Sequence, residues 1–143
     1  MLSTGRDDRT PAHFEPGQMD IMLKKKILVT DDSKTVLRIL RLALEQGDFE
    51  ICAVENGLDA YQRFKAGGVD LLLTDLNMPG LDGIGLIRKI RSGLGDRTTP
   101  IIMLTTESQE SMKNAGRAAG ANGWIVKPFK PEQLMQLLNK VLN

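Results

Sequence analysis

Two short apolar runs in this chain each end in aspartate. Residues 71–74 lead directly into Asp75, and residues 27–30 lead into Asp31 and Asp32. Such runs are typical of buried parallel strands, whose carboxyl ends meet at one edge of a sheet and line a crevice there. Three carboxylates in one crevice repel one another, and a hard divalent cation such as Mg²⁺ relieves that repulsion. The pattern therefore predicts one shared, acidic, metal-binding site.

Strand-like and helix-like segments alternate from residue 25 onward. The predicted strands cover residues 26–31, 49–54, 69–74, 101–104 and 122–126. The first predicted helix follows Ser33 as its N-cap, and the others cover residues 58–66, 84–91, 108–119 and 131 onward. Five strands alternating with five helices indicate an α/β fold with a doubly wound parallel sheet, covered by helices on both faces.

The fourth predicted helix, residues 108–119, is the least well anchored of the five. It contains Gly116, and its inward-facing residues are mostly alanine together with Met112. Glycine inside a helix costs about 1 kcal/mol relative to alanine. We therefore expect this helix to move more readily than its neighbours.

The composition fits a single soluble domain. A chain of 143 residues, of which 41% are hydrophobic and 26% charged, can bury one full core. A formal net charge of +1 favours neither nucleic acid nor a membrane surface as a partner. No apolar stretch approaches the roughly 20 residues that span a bilayer. Cys52 is the only cysteine, so we expect a buried, unpaired thiol and a cytoplasmic protein.

The N-terminal segment differs from the remainder of the chain. Residues 1–23 mix proline, glycine and charges without an apolar period. This composition predicts a flexible tail, and it places the folded domain at residues 24–143.

Two further strand ends carry polar residues. The fourth strand leads into Thr105 and Thr106, and the fifth leads into Lys127 and Pro128. A hydroxyl and an ammonium at the same sheet edge as three carboxylates would suit a phosphoryl group, since they supply a donor and a cation. The bond between Lys127 and Pro128 is a candidate cis peptide.

These motifs together resemble the receiver domain of bacterial two-component response regulators. The matching pattern runs across residues 25–143 in the order Asp31-Asp32, Asp75-x-Asn77-x-Pro79-Gly80, Thr105 and Lys127-Pro128-Phe129. The resemblance implies a CheY-like fold with strand order 2-1-3-4-5. It also implies a phosphoprotein that works in two-component signal transduction.

The resemblance implies a role for each acidic residue. Asp75 would accept a phosphoryl group from the phosphohistidine of a sensor histidine kinase, such as a CheA-like kinase. Asp32, Asp75 and the backbone carbonyl of Asn77 would bind Mg²⁺ directly, and Asp31 would do so through water. Such a protein catalyses only its own phosphotransfer and its own dephosphorylation, so it is not otherwise an enzyme.

The resemblance also implies a switch. Lys127 would pair with the phosphoryl oxygens, and Thr105 would turn to hydrogen-bond one of them. Trp124 occupies the position of the family's aromatic switch residue, where tyrosine or phenylalanine is commoner. Its movement would change the face built from the fourth helix, the fifth strand and the fifth helix. Lys113 and Arg117, together with Lys130, would make that face basic, which either favours an acidic partner or is an ordinary solvated surface.

Two kinds of output fit the resemblance. The chain ends at Asn143, directly after the fifth helix, so we expect a stand-alone, monomeric receiver that signals by contact with a protein. Asn77 and Glu107 resemble the pair that sets phosphoryl lifetime in chemotaxis receivers, and they favour a CheY-like messenger acting on a target such as a motor switch. Thr106 departs from the smaller residue usual there. The alternative is a phosphorelay intermediate that passes its phosphoryl group to a histidine phosphotransfer protein.

Two other classes share part of the pattern. A haloacid-dehalogenase-type phosphatase needs a second acid two residues after the nucleophile, where this chain has Asn77. A flavodoxin-like electron carrier needs a loop after the first strand that cradles phosphate, whereas Asp31 and Asp32 would repel it. Both classes are therefore disfavoured.

Overall fold

A computed structural model describes residues 24–106 and 109–142 of the chain. The strands are β1 (Lys25–Thr30), β2 (Phe49–Val54), β3 (Leu71–Asp75), β4 (Ile101–Thr105) and β5 (Gly123–Val126). The helices are α1 (Lys34–Glu45), α2 (Gly57–Lys65), α3 (Gly83–Arg88), α4 (Glu110–Ala119) and α5 (Pro131–Leu142). A π-helical turn, Lys89–Gly93, continues α3. The predicted alternation of strands and helices is confirmed.

The five strands form one parallel sheet in the order β2-β1-β3-β4-β5, which confirms the implied order. The chain leaves β1 toward β2 on one side and returns to β3 on the other, so the strand order reverses between β1 and β3. Thr30 pairs with Thr74, and Asp75 pairs with Leu104. The carboxyl ends of β1, β3 and β4 therefore meet beside this switch point, where doubly wound sheets bind their ligands.

Two apolar clusters cover the two faces of the sheet. On one face α1 and α5 bury a set of leucines: Leu37, Leu40, Leu44, Leu134 and Leu138. On the other face α2, α3 and α4 contribute Ala60, Phe64, Leu86, Ile87 and Ala119. Strands β3 and β4 are buried at every residue because both of their faces are covered.

Strand boundaries near the functional residues differ from the predicted ones. β3 begins two residues later than predicted and includes Asp75, since this residue pairs with Leu104 in the ladder. β4 extends to Thr105, which pairs with Val126. β1 ends one residue early, at Thr30. The predicted start of the fourth helix, at residue 108, lies outside the described residues.

The end of α3 was predicted wrongly. The α-helix stops at Arg88 instead of residue 91, and the π turn follows. Arg91 in this turn points inward, and the residue is 6% exposed. Arg91 Nε and Nη2 both donate to the carbonyl of Gly120, at 3.1 and 3.0 Å, and Nη2 also donates to Asn122 Oδ1 at 2.9 Å. Arg91 thus ties the end of α3 to the loop between α4 and β5.

Gly116 brings α4 close to the sheet. It is buried, and a Cβ at this position would lie 2.3 Å from Met103 Cε on β4. The glycine that lowers the intrinsic stability of α4 therefore also allows its close packing on β4.

Cys52 is half-buried, not buried as predicted, because β2 is an edge strand. None of the helices in the described part of the chain is both long enough and apolar enough to cross a membrane. The predicted tail, residues 1–23, lies outside the described residues.

Candidate functional site

Three aspartates meet at the sheet edge beside the switch point. Asp31 follows β1 and is fully buried, whereas Asp32 is exposed. Asp75 ends β3 and is 5% exposed. One carboxylate oxygen from each of the three lies within 4.8 Å of the others. The sequence placed these residues together, and the structure brings them together.

Lys127 joins the acidic cluster from the end of β5. Its Nζ donates to Asp31 Oδ2 at 2.7 Å and lies 3.3 Å from Asp75 Oδ1. The backbone amide of Lys127 donates to the carbonyl of Thr105 at 2.7 Å, which fixes the loop after β5 against the end of β4. The Lys127–Pro128 peptide bond is cis.

The pKa values of Asp75 and Lys127 are both raised, but burial acts in opposite directions on the two groups. Burial raises the pKa of Asp75 above its usual value, and the nearby charge of Asp31 raises it further. Lys127 and a backbone hydrogen bond from Asn77 oppose that rise without cancelling it. Burial lowers the pKa of Lys127, but its hydrogen bond to Asp31 and the charge of Asp75 outweigh burial and raise it. Lys127 therefore stays protonated, whereas ionisation of the neighbouring Asp75 carboxyl group costs free energy.

The three carboxylates fit a divalent cation. Their oxygens are the hard ligands that Mg²⁺ prefers, and an added positive charge would keep Asp75 ionised. Both oxygens of Asp31 already accept hydrogen bonds, Oδ2 from Lys127 and Oδ1 from the amide of Ser33 at 2.9 Å. Asp32 and Asp75 are therefore better suited than Asp31 to hold the ion directly.

The loop after β3 packs tightly behind Asp75. The amide of Gly83 donates to the carbonyl of Leu76 at 2.9 Å. A Cβ at position 83 would lie 2.3 Å from the carbonyl oxygen of Asp75 and 2.9 Å from Leu76 Cα. Only glycine fits between these backbone groups. No local sequence pattern indicates that this glycine lies against the backbone of Asp75.

The residues predicted to form the switch lie on the two neighbouring strands β4 and β5. Thr105 is buried at the end of β4 and is 1% exposed. Trp124 lies on β5, where it pairs with Met103, and its indole is half-buried. Asn77 is exposed in the loop after Asp75. Glu107, predicted to influence phosphoryl lifetime, lies outside the described residues.

An apolar pocket beside Lys127 was not predicted. It has a volume of about 260 Å³ and is lined by Val36, Ile39, Thr106, Lys127, Pro128 and Phe129. Ile39 on α1 is 48% exposed, and Leu42 is 60% exposed. The sequence could have indicated these exposed residues, because Ile39 and Leu42 are apolar residues that lie outside the buried face of α1.

A family model described as the response regulator receiver domain matches residues 27–139, which include the three aspartates and Lys127. The chain belongs to the response regulator receiver family. This receiver is 39% identical over 119 residues to the chemotaxis protein CheY1 of Helicobacter pylori, which covers 82% of this chain and 96% of that protein. It is 40% identical over 124 residues to the transcriptional regulatory protein ResD of Bacillus subtilis, covering 87% of this chain. The receiver spans only 50% of the length of ResD.

Solved structures agree with this membership. The chemotaxis response regulator CheY4 of Vibrio cholerae is 34% identical and superposes with a TM-score of 0.78, covering 83% of this receiver and 99% of that chain. The receiver domain of the sensor histidine kinase PA1611 from Pseudomonas aeruginosa is 27% identical, with a TM-score of 0.77, and covers 83% of this receiver and 98% of that chain. In that structure a magnesium ion is coordinated in the active site cleft.

Proposed function

We propose that this receiver accepts a phosphoryl group on Asp75 from the phosphohistidine of a sensor histidine kinase, in a Mg²⁺-dependent reaction. The observation that supports this most directly is the convergence of Asp31, Asp32 and Asp75 with the ammonium of Lys127 at one sheet edge. Phosphoryl transfer depends on positioning and on neutralising charge, and this cluster offers both.

The chemistry balances at Asp75. A carboxylate oxygen forms a bond to phosphorus while the bond between phosphorus and the donor imidazole nitrogen breaks, and that nitrogen keeps the electron pair. The product on Asp75 is an acyl phosphate, which water hydrolyses to restore the carboxylate and release inorganic phosphate. A divalent cation at the site would supply positive charge to the transferred group. The protein would thus catalyse only its own modification and its reversal.

Lys127 and Thr105 would bind the phosphoryl group. The ammonium of Lys127 already lies 3.3 Å from Asp75 Oδ1, so it is within reach of a phosphoryl oxygen on that atom. The hydroxyl of Thr105, at the end of the adjacent strand, would hydrogen-bond another oxygen. Reorientation of Thr105 would then favour movement of Trp124 on β5 and change the surface formed by α4, β5 and α5.

The messenger role is our first choice for the output. Similarity to CheY1 extends over 96% of that protein, and Asn77 follows the acceptor as in the chemotaxis pattern. We infer that the receiver is a cytoplasmic, CheY-like monomer whose surface of α4, β5 and α5 binds a target such as a motor switch. A phosphorelay intermediate, which would pass the phosphoryl group to a histidine phosphotransfer protein, is the alternative.

The apolar pocket beside Lys127 offers a contact for the phosphodonor protein. The pocket includes Lys127, which lies 3.3 Å from Asp75, so a donor protein whose histidine reaches Asp75 would lie near it. The exposed Ile39 and Leu42 would then pack against apolar residues of that protein. Ile39→Ser should then slow transfer from the kinase, while transfer from acetyl phosphate stays at the wild-type rate. Equal slowing with both donors would argue against a docking role.

The acceptor assignment is tested by labelling with a small phosphodonor. Wild type should be labelled by acetyl phosphate, and Asp75→Asn should not be. Asp48→Asn is the matched control, since Asp48 is an exposed aspartate far from the cluster in sequence. Retained labelling in Asp75→Asn would refute Asp75 as the acceptor. Undiminished labelling after chelation of divalent cations would refute the metal dependence.

The coupling of the site to the output face is tested by the fluorescence of Trp124, the only tryptophan. Beryllofluoride with Mg²⁺, a phosphoryl mimic, should change the emission of wild type but not of Asp75→Asn. Binding without any change in emission would favour the phosphorelay alternative over a messenger.

A further inference from the structure

Thr30 is a polar residue at the end of an apolar strand. It occupies the last position of β1 and is fully buried, directly after three buried apolar residues, 27–29. Alternate residues of a strand share a face, so its side chain lies on the same face of the sheet as that of Leu28, which packs in the cluster under α2 and α3. A buried hydroxyl costs free energy unless it is hydrogen-bonded, and Thr30 must therefore find an acceptor on this face.

The hydroxyl of Thr30 has two acceptors on different segments of the chain. Its Oγ1 lies 3.3 Å from the carbonyl oxygen of Asn56, just before α2, and 3.5 Å from Sδ of Met78, in the loop after β3. A hydroxyl carries one proton, so it donates to one of these acceptors at a time. The carbonyl of Asn56 also accepts from the amide of Ala60 at 3.1 Å and would keep that donor without Thr30.

The start of α2 packs closely against the loop after β3. A Cβ at position 57 would clash with the carbonyl oxygen of Leu81, so Gly57 allows this approach. Asn56 is the N-cap of α2, and its side chain accepts from the amide of Asp59 at 2.8 Å. The carbonyl of Asn56 thus belongs to a capped helix, whereas Met78 lies in a loop. Thr30 links that loop to β1 and lies beside the start of α2.

Met78 is adjacent to a backbone group that contacts the proposed acceptor. Met78 is 7% exposed, whereas the neighbouring Asn77 is exposed. The backbone amide of Asn77 donates a hydrogen bond to the carboxylate of Asp75. Planar trans peptides fix the distance between successive Cα atoms, so a displaced Met78 would also displace Asn77. The anchoring of Met78 therefore limits movement of the amide that holds Asp75.

We propose that Thr30 is a positioning residue for phosphoryl transfer to Asp75. Its hydrogen bond to Met78 holds the loop after β3, and the amide of Asn77 in that loop orients the acceptor carboxylate. The attacking oxygen must lie in line with the bond to phosphorus that breaks, so a looser loop lowers the rate. This inference rests on the proposed function, since it concerns how Asp75 is held for that reaction. It adds a residue that lies outside the acidic cluster.

The hydroxyl is tested by two substitutions of Thr30. Thr30→Val removes the hydroxyl and keeps the branched shape, whereas Thr30→Ser keeps the hydroxyl and removes a methyl group. Thr30→Val should slow labelling of Asp75 by acetyl phosphate about two- to ten-fold, and Thr30→Ser should stay within about two-fold of wild type. The urea midpoint of Thr30→Val should not fall, because the carbonyl of Asn56 keeps its other donor. Wild-type labelling of Thr30→Val, or equal slowing by Thr30→Ser, would refute a role for the hydroxyl.

The route through Met78 is tested by Met78→Leu, which removes the sulfur acceptor at similar volume. This variant should be labelled more slowly than wild type. Thr30→Val should cause no further slowing when it is added to Met78→Leu, because both substitutions remove the same contact. Fully additive slowing in the double variant would show that Thr30 does not act through Met78.

A measurement without any phosphodonor separates positioning from general destabilisation. Exchange of the Asn77 amide with water, followed by NMR in metal-free protein, should be about two- to ten-fold faster in Thr30→Val than in wild type. The control is the amide of Thr99, which donates to Asp96 at 2.9 Å in another loop and should exchange at the wild-type rate. Unchanged exchange of the Asn77 amide would contradict the proposal.

The labelling experiment also distinguishes this inference from the proposed function. Labelling that persists in Asp75→Asn would refute Asp75 as the acceptor and would overturn this inference as well. Labelling that is lost in Asp75→Asn but unchanged in Thr30→Val would overturn this inference alone and leave the proposed function intact.

Discussion

Lys127 donates a 2.7 Å hydrogen bond to the fully buried carboxylate of Asp31, while its ammonium lies 3.3 Å from Asp75. The shorter contact is thus to the aspartate that is not the proposed acceptor. Asp31 is buried away from solvent, so the ion pair with Lys127 stabilises its negative charge inside the protein. The same ammonium remains close enough to Asp75 to meet an incoming phosphoryl oxygen.

Lys127→Met should therefore destabilise the protein as well as slow phosphorylation. The substitution leaves the buried Asp31 carboxylate without its cation, and we expect a loss of about 1–3 kcal/mol in the free energy of unfolding in metal-free buffer. Adding Asp31→Asn should recover most of that loss, because the unpaired charge is then absent. Urea unfolding of the four proteins in this double-mutant cycle measures the coupling. Additive effects of the two substitutions would contradict the pairing.

The raised pKa of Asp75 predicts how stability depends on pH. Burial, followed by the charge of Asp31, raises the pKa above the ordinary value of 3.8. A group with a higher pKa in the folded state binds its proton more tightly there, so its ionised form lowers stability at neutral pH. That cost disappears as the pH falls through the raised pKa toward 3.8.

Asp75→Asn should accordingly raise the free energy of unfolding at neutral pH in metal-free buffer. The difference from wild type should shrink as the pH is lowered toward 3.8, where both proteins carry a neutral side chain at this position. Urea unfolding over a series of pH values measures it. A mutant that is less stable than wild type at neutral pH would show that Lys127 more than compensates for burial.

Gly83 and Gly93 provide a matched pair of glycine substitutions in one helical segment. A Cβ at position 83 would lie 2.3 Å from the carbonyl oxygen of Asp75, whereas nothing lies within 4 Å of a Cβ at position 93. Gly83→Ala should lower stability by about 1–3 kcal/mol and reduce labelling of Asp75, because backbone atoms must move. Gly93→Ala should leave both nearly unchanged. Equal effects of the two substitutions in unfolding and labelling assays would show that close packing at Gly83 does not position Asp75.

Much of the fold and the acidic cluster could be predicted because they follow from local patterns. Buried parallel strands produce continuous apolar runs, and their carboxyl ends lie at one edge of the sheet. The sequence alone therefore predicts that Asp31, Asp32 and Asp75 lie together. Their roles in phosphoryl transfer stay predictions, as does the role of Thr105.

Other features depend on packing between distant segments. The contact of Lys113 and Arg117 with Trp124 depends on how closely α4 approaches the sheet. That distance is set by the bare backbone of Gly116 against Met103. The helical period of the sequence predicts which side of α4 a residue lies on, but it does not predict the distance between α4 and the sheet. The contact of the two cations with the Trp124 ring therefore could not be predicted from the sequence.

Arg91 illustrates a second kind of limit. Charged residues are seldom buried, and nothing local to Arg91 indicates that its partners lie about thirty residues later, at Gly120 and Asn122. Arg91→Met should leave the carbonyl of Gly120 without its side-chain donors, whereas Asn122 Oδ1 keeps the amide of Ile101 as a donor. We expect a cost of about 2–4 kcal/mol in the free energy of unfolding. Arg88→Met, at an exposed position in the same helix, is the control and should cost little in the same urea experiment.

Asp96 completes the contacts of Arg91 and gives an opposite dependence on pH from Asp75. Burial alone would raise its pKa, but hydrogen bonds from Thr99 and Thr98, at 2.8–3.0 Å, and the charge of Arg91 lower it below 3.8. A lowered pKa contributes stability that is present above 3.8 and is lost as the pH falls through the folded-state value. Asp96→Asn should therefore destabilise the protein by about 1 kcal/mol at neutral pH, and the difference should vanish in acid. If the difference in free energy of unfolding between wild type and Asp96→Asn is the same at every pH, it comes from altered hydrogen bonds of the asparagine amide. The charge of Asp96 would then contribute nothing to stability.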